Sequence, residues 1–235
     1  MSKKAALKKV IAIITAAGSG SRFAKSVKNP TPKQFRNLLG KPVILYSLLT
    51  LQKCKHVNEI IVSLNRKYFD YIHLLASKNK ITKLTGLVEG GKIRFQSVKN
   101  AFSQAAGGKN DLVLIHDAAR PNINPMLIEK LVNEANKYGE VIIGSKVSET
   151  VKRDKNGYIA DTLNRENLWL VQTPQVFRYK VLETSYKKCR RKSDFTDESS
   201  LVEHAGYKVK IIEGSRDNIK ITTDEDISLL TKLMQ

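Results

Sequence analysis

A chain of 235 residues, 41% hydrophobic and 27% charged, has the length and balance of one large globular domain with a small appendage. No apolar run approaches the roughly 18 to 20 residues that cross a bilayer, so a membrane partner is not expected. The formal net charge of +19 fits either a nucleic-acid surface or a polyanionic small substrate. The lysines are spread along the chain rather than gathered with aromatics, so charge alone decides little, although it speeds encounter with any phosphorylated ligand.

Lys3, Lys4, Lys8 and Lys9 precede the run from Val10 to Ala17, a superficial likeness to a signal peptide. The run leads at once into Gly18-Ser-Gly20-Ser-Arg22, so a buried first strand over Val10–Ala16 behind a basic tail is the better reading. Glycines after a first strand let backbone N–H groups approach phosphate oxygens. The loop lacks both the third glycine of a dinucleotide fingerprint and the ending of a P-loop. Arg22, and Lys33 in Pro32-Lys33-Gln34, give it the cations that suit a transferring phosphoryl group.

Further strands are predicted at Glu59–Leu64, Leu84–Val88, Leu112–Ile115, Val141–Lys146 and Lys208–Ile212, rich in β-branched residues and nearly continuous, as in strands buried on both faces. Helical patterns lie between them at Pro42–Lys53, Lys67–Asn79, Arg94–Ala106 and Pro125–Tyr138. Asn124-Pro125 pairs a capping side chain with a first-turn proline, and Thr223 with Asp226 forms a variant capping box for a last helix. The alternation predicts a three-layer α/β sandwich around a mostly parallel twisted sheet, whose ligands bind beyond the carboxyl ends of the strands.

Two junctions fall at that edge. Gly90-Gly91-Lys92-Ile93-Arg94, with Ser97, offers bare backbone to a flat base or ribose, although a simple turn reads almost as well. In Leu114-Ile-His-Asp-Ala-Ala-Arg-Pro121, Asp117 and Arg120 close a buried strand where site residues belong, while His116 reads as a packed, hydrogen-bonded histidine.

Residues 147–172 break the rhythm around Asn156-Gly157, a hairpin signal, and predict a projecting β-arm that needs a partner surface such as a second subunit. The domain is then residues 1–146 with 173–235. After the arm, Gln172-Thr173-Pro174-Gln175 reads as a rigid polar segment, Thr196-Asp197-Glu198-Ser199 as a helix start, and Asn218–Thr222 as a strand-like edge carrying the isolated cation Lys220. Cys54 and Cys189 have neither metal spacing nor the number for a disulfide scaffold, which fits a reduced cytoplasmic setting.

The motifs AAGSGSR, PKQF, GKPVILYSL, GGKIRFQSV, HDAARP, SETVKR, NRENLWLVQTPQVF, TDESSLVE and NIKITTDED run in order from residue 16 to about 226. Together they resemble the 2-C-methyl-D-erythritol 4-phosphate cytidylyltransferases of the non-mevalonate isoprenoid pathway. The resemblance implies a nucleotide-diphospho-sugar-transferase-like domain, dimerising through its arm. It also implies attack by a sugar-alcohol phosphate on the α-phosphate of CTP, with Mg2+ held mainly by the triphosphate.

By motif match, Arg22 and Lys33 stabilise the transition state, and Arg165 and Lys220 grip the attacking phosphate with Thr150 and Thr173 assisting. Ala16, Ala17, Gly18 and Gly20 line the triphosphate, and Gly90, Gly91 and Ser97 hold cytosine and ribose. Asp117, Ala118 and Arg120 contact substrate hydroxyls or the metal region. A ribitol 5-phosphate cytidylyltransferase is the nearest alternative, and a basic nucleic-acid-binding protein on the same fold a more distant one. The chain departs from the family's pattern in a longer stretch between Arg22 and Lys33, in Glu149, and in Ile93 and Gln96 where acidic residues are usual.

Overall fold

The computed structural model describes residues 8–18, 31–189 and 195–235. Eleven strands occur among them: β1 (Val10–Ala16), β2 (Asn37–Leu38), β3 (Lys41–Pro42), β4 (Glu59–Leu64), β5 (Leu84–Glu89), β6 (Leu112–Asp117), β7 (Val141–Lys146), β8 (Val151–Lys155), β9 (Tyr158–Leu163), β10 (Trp169–Arg178) and β11 (Lys210–Glu213). The helices are α1 (Val43–Lys53), α2 (Phe69–Lys78), α3 (Arg94–Gln104), α4 (Pro125–Tyr138), α5 (Tyr179–Lys188), α6 (Glu198–His204) and α7 (Asp224–Leu233). Short 3-10 turns lie at Lys33–Phe35 and Arg66–Tyr68.

Seven strands form one sheet in the order β11-β7-β10-β6-β1-β4-β5. All run parallel except β10, which is antiparallel to both β6 and β7. Successive side chains of a strand point to opposite faces, so a sheet covered on both sides needs apolar residues at nearly every position. In β1, Val10, Ala12 and Ile14 pack toward α1, α2 and α4, while Ile11 and Ile13 pack toward α3, α5 and α6. The three layers read from the sequence are therefore present, and the run after the basic tail is a central strand.

The chain moves outward from β1 to β4 and β5, then returns to place β6 on the other side of β1. Strand order reverses there, opening a crevice beyond the carboxyl ends of β1 and β6. Ala16, Ala17 and Gly18 lie on one lip of it, and Asp117 and Ala118 on the other.

Helix ends follow their local chemistry. Asn124 accepts a hydrogen bond from the Met126 N–H with Pro125 in the first turn, and the Thr223–Asp226 capping box forms. Asp197 caps α6 through the Ser200 N–H, as the helix-start reading expected.

Two expectations fail. The polar segment Gln172–Gln175 is the middle of β10, inside the sheet, and α5 follows it directly. Proline has no N–H for a ladder and normally argues against a central strand. Here a register shift between Val171 and Gln175 takes Pro174 out of the β7 ladder, and the Thr173–Pro174 bond is cis. Asn218–Thr222 is extended but joins no strand: the Ile221 N–H bonds to the Ala119 carbonyl, and Ile221 packs among Leu38, Val43 and Leu230.

The hairpin β8–β9 forms its own two-stranded sheet, turning at Asn156 and Gly157, both with positive φ. Tyr158, Ile159, Leu170 and Val171 are exposed on the hairpin and at the start of β10.

Phe177 is fully buried on β10 between the sheet and α5, packed with Val113, Ile115 and Leu182. Phe177→Ala should lower unfolding stability by about 3 to 5 kcal/mol, measured by urea denaturation. A loss below about 1 kcal/mol would mean that this packing does not hold the antiparallel strand.

Candidate active site

The mouth of the crevice is organised by one carboxylate. Asp117 ends β6 and is almost wholly buried. Its Oδ1 accepts from Thr15 Oγ1 on β1 at 3.0 Å and from Arg94 Nε on α3 at 3.0 Å, while Oδ2 accepts from Lys220 Nζ at 2.5 Å. Burial alone would raise its pKa, but Arg94 and Lys220 outweigh burial and hold it well below the carboxylate range. The charge is therefore kept.

Arg94 does not belong to Asp117 alone. Its Nη1 donates to Glu198 Oε2 at 2.6 Å, the first residue of α6. Burial would lower the Arg94 pKa; Glu198 and Asp117 reverse that and raise it. Glu198 is also fully buried, and burial is the leading cause of its raised pKa. Behind it, Gln175 Nε2 donates to Asp197 Oδ2 at 2.6 Å, fastening the start of α6 to β10.

The other lip is shaped by Gln34, whose amide donates to the Ala16 carbonyl at 2.5 Å and the Gly18 carbonyl at 3.2 Å. Lys33, beside it on the same 3-10 turn, donates to the Ile221 carbonyl at 2.8 Å. Lys33 and Lys220 are thus both fixed on the segment 218–222, Lys33 through its side-chain contact and Lys220 by belonging to it. Gly20 and Arg22 lie outside the described residues, as does nearly all of the longer stretch that follows Arg22.

The glycines divide by what surrounds them. A Cβ on Gly90 would lie 2.1 Å from the Ala17 Cβ, and one on Gly91 would lie 2.2 Å from the Gln96 Cβ. Gly90 lets the β5–α3 turn close against the residue after β1, and Gly91 lets the turn fold back onto α3. Gly18 differs: a Cβ there would meet no described atom within 4 Å.

Two hydroxyls expected to reach the ligand are engaged within the fold. Ser97 Oγ accepts from the Gly91 N–H at 3.1 Å and donates to the Ile93 carbonyl at 3.1 Å, which closes the glycine turn. Thr173 Oγ1 accepts from the Asp117 N–H at 3.0 Å and sits 3.2 Å from His116 Nδ1. On the far side of the ring, His116 Nε2 lies 3.1 Å from the Arg120 carbonyl. A carbonyl can only accept, so Nε2 carries the proton and Nδ1 accepts from Thr173. Thr173 therefore steadies the Asp117 backbone, and His116 is the packed, bonded histidine the sequence suggested.

Arg120 Nη1 donates to the Asn218 carbonyl at 2.6 Å, and Asn218 Nδ2 reaches the Thr173 carbonyl at 2.9 Å, so the loops after β6 and β11 are tied together. Arg120 Nε is buried with no partner among the described residues. Thr150 and Arg165 are exposed at the base of the hairpin, where Arg165 Nη1 donates to the Ser148 carbonyl. No hydrogen bond or ion pair joins either residue to the Asp117 cluster.

The carboxylate is poorly suited to magnesium. Two cations and a hydroxyl already bond it, and a dication brought there would meet Arg94 and Lys220. Among the described residues no group of three or more His, Cys, Asp or Glu side chains could hold a metal. No described helix is long and apolar enough to cross a membrane.

Sequence reasoning brought Asp117, Arg120, Lys33, Lys220 and the glycine turns to one mouth. It missed Thr15, Gln34, Arg94, Glu198 and Asn218 as parts of the cluster. Arg94 and Glu198 each stood in a noted motif, but nothing local marks them as partners.

The family model for 2-C-methyl-D-erythritol 4-phosphate cytidylyltransferase matches residues 10–235. The protein of that name from Clostridium novyi is 37% identical over 232 residues, covering 97% of this chain and 98% of its own. A solved 4-diphosphocytidyl-2C-methyl-D-erythritol synthase from Anaerococcus prevotii superposes with a TM-score of 0.82 at 33% identity, covering 97% of this chain and 99% of its own. The Francisella tularensis 2-C-methyl-D-erythritol 4-phosphate cytidylyltransferase gives a TM-score of 0.80 at 30% identity, over 96% and 99% of the two chains.

Burial lowers the His116 pKa to about 4, below its ordinary value of 6.5. The unfolded chain then takes up this proton first, so stability falls as pH drops from about 6.5 to about 4, by on the order of 3 kcal/mol in full. Glu198, with a raised pKa, contributes with the opposite sign. His116→Gln should remove the histidine part, flattening the fall in unfolding free energy between pH 6.5 and 4. Parallel curves for the two proteins would refute the buried neutral imidazole.

Proposed function

The chain belongs to the 2-C-methyl-D-erythritol 4-phosphate cytidylyltransferase family, and on that premise we propose that it joins CTP to 2-C-methyl-D-erythritol 4-phosphate. The products are 4-diphosphocytidyl-2-C-methyl-D-erythritol and pyrophosphate. The observation that carries the reading is the convergence of Lys33, Lys220 and Asp117 at the strand-order reversal, where α/β sheets bind ligands.

A phosphate oxygen of the sugar alcohol attacks the α-phosphorus of CTP as the α–β bridging bond breaks, and pyrophosphate leaves with that electron pair. The attacking phosphate is already an anion at neutral pH, so no side chain has to remove a proton. That accords with His116, which is neutral and bonded on both ring nitrogens. The barrier lies in bringing two anions together and in the charge that gathers at the α-phosphate, and fixed cations lower both costs.

Lys33 and Arg22 serve the triphosphate side, with Ala16, Ala17, Gly18 and Gly20 along its path. Gly90 and Gly91, held by Ser97, present a flat turn to the cytosine and ribose. Lys220 keeps two donors beyond its bond to Asp117 and grips the attacking phosphate, while Asp117 and Arg120 face the substrate hydroxyls.

Magnesium would be held mainly by the triphosphate of CTP, a common arrangement for an ion that dehydrates reluctantly. Its charge would offset that of the triphosphate; the chain's part is to position the phosphates beside it. The site works in a homodimer of a cytoplasmic enzyme. Tyr158, Ile159, Leu170 and Val171 give the hairpin and the start of β10 an apolar surface, and Thr150 and Arg165 reach the neighbouring site from its base.

Pyrophosphate release should be rapid with CTP and 2-C-methyl-D-erythritol 4-phosphate and at least about tenfold slower with CTP and ribitol 5-phosphate at equal concentration. Preference for ribitol 5-phosphate would reassign the substrate, and RNA binding without turnover of either pair would remove the enzyme reading. Mixing Arg165→Ala with Lys33→Ala protomers should restore part of the activity both lack, because one mixed site carries both cations. Recovery absent after subunit exchange would place Arg165 outside the neighbouring site.

A further inference from the structure

We infer that Glu198 is a positioning residue for the attacking substrate, acting through Arg94 on the Asp117–Lys220 pair. This rests on the reading of the crevice mouth as the site of the sugar-alcohol phosphate. Neither Glu198 nor Arg94 is assigned a contact with either substrate.

The geometry gives Arg94 two anions and makes it divide its fork between them. Nε bonds Asp117 Oδ1 at 3.0 Å and Nη1 bonds Glu198 Oε2 at 2.6 Å. A guanidinium facing one carboxylate alone tends to engage both its oxygens. The nitrogen that would share a carboxylate with Nε is Nη2, as on Arg178, whose Nε and Nη2 grip both oxygens of Glu140. By bonding Nη1, Glu198 sets the guanidinium at an angle that leaves the Arg94 Nη2 off Oδ2, buried and with no partner among the described residues. Oδ2 of Asp117 is thereby left for Lys220 Nζ at 2.5 Å.

The consequence for Lys220 is one of placement. A lysine ammonium sits on a flexible four-carbon stem and is a point charge without direction of its own. Its position is fixed only by what it bonds, and here that is one oxygen of Asp117. Asp117 is in turn immobile because Thr15, Arg94 and the Thr173 hydroxyl under its own N–H hold it. Without the Glu198 charge, Arg94 turns toward both oxygens of Asp117 and competes with Lys220 for Oδ2. The phosphate-gripping cation then loses its anchor, and the substrate-facing edge of Asp117 is covered.

Glu198 is itself well supported for such a task. It is fully buried at the start of α6, where the helix dipole favours a carboxylate. Gln175 clamps that helix start by donating to Asp197 and accepting from the Ser199 N–H at 3.3 Å. The Thr-Pro-Gln and Thr-Asp-Glu motifs thus belong to one line of contacts, from the sheet through α6 and Arg94 to the mouth. Burial disfavours its charge, and the ion pair with Arg94 at 2.6 Å offsets that cost.

The test is steady-state kinetics with each substrate varied in turn. Glu198→Gln keeps the shape and removes the charge. The expected result is a KM for 2-C-methyl-D-erythritol 4-phosphate raised about tenfold, as for one lost charged contact, with the KM for CTP nearly unchanged even though the melting temperature falls as a buried ion pair is lost. The same KM for both substrates as the parent protein, or equal rises in the two, would overturn the inference.

Arg94→Met should raise the same KM, and adding Glu198→Gln to it should raise it no further, because Glu198 acts only through Arg94. Additive effects would count against the relay. If Glu198→Gln alone is insoluble, Arg94→Met/Glu198→Gln removes both buried charges together and serves in its place; a KM like the parent's would then refute the proposal. Absence of turnover in the parent protein with this substrate pair would instead remove the functional reading, and the inference with it.

Discussion

The placement of the site depends on one buried anion. Asp117 keeps its charge at the end of a central strand, although burial opposes ionisation. An uncompensated ion in such a place costs several kcal/mol, on the order of 3 to 5 when a partner is removed. The compensation comes from four stretches of chain far apart in sequence: Thr15 on β1, Arg94 on α3, Lys220 after β11, and the Thr173 hydroxyl on β10 beneath the Asp117 N–H. Satisfying that carboxylate and its backbone therefore brings the whole mouth together.

The sheet supplies the position and the loops supply the chemistry. Parallel strands covered on both faces are rigid and nearly featureless in side-chain chemistry, so polar groups collect where the strands end. The order reversal between β1 and β6 leaves a gap at that edge, and β10 completes the opposite half of the sheet. The antiparallel β10 also delivers Thr173 beneath Asp117 and Gln175 beside α6. A strand that looks misplaced in an otherwise parallel sheet thus joins the floor of the site to its side.

Cations here are ordered by anions and carbonyls rather than by one another. Lys33 rests on the Ile221 carbonyl, Arg120 on the Asn218 carbonyl and Lys220 on Asp117. The segment 218–222 joins no sheet, yet Ile221 is buried and bonded to Ala119, so the segment is as well placed as a strand. The three cations stand close without collapsing the site because each is anchored separately. Such preorganisation suits a reaction whose difficulty is charge rather than proton transfer.

Local patterns were enough for most of the fold. The β-branched runs, the capping pairs at Asn124 and Thr223, and the Asn156-Gly157 turn each follow from short-range chemistry, and the corresponding elements formed. The glycine turns and the cation-bearing motifs were legible for the same reason: backbone approach and charge show in the residue type. What tertiary structure alone decided was partnership. Gln172–Gln175 reads as a rigid polar segment until flanking strands supply ladders around its proline, and Ile221 reads as part of a strand-like edge until α7 and β2 close over it. Arg94 and Glu198 read as an unremarkable helix start and cap until folding brings them within 2.6 Å. The sequence determined which groups carry charge and which strands are buried, because those depend on a residue and its near neighbours. Which anion holds which cation depends on distance across the fold, and burial makes that choice count by removing the water that would otherwise solvate either one.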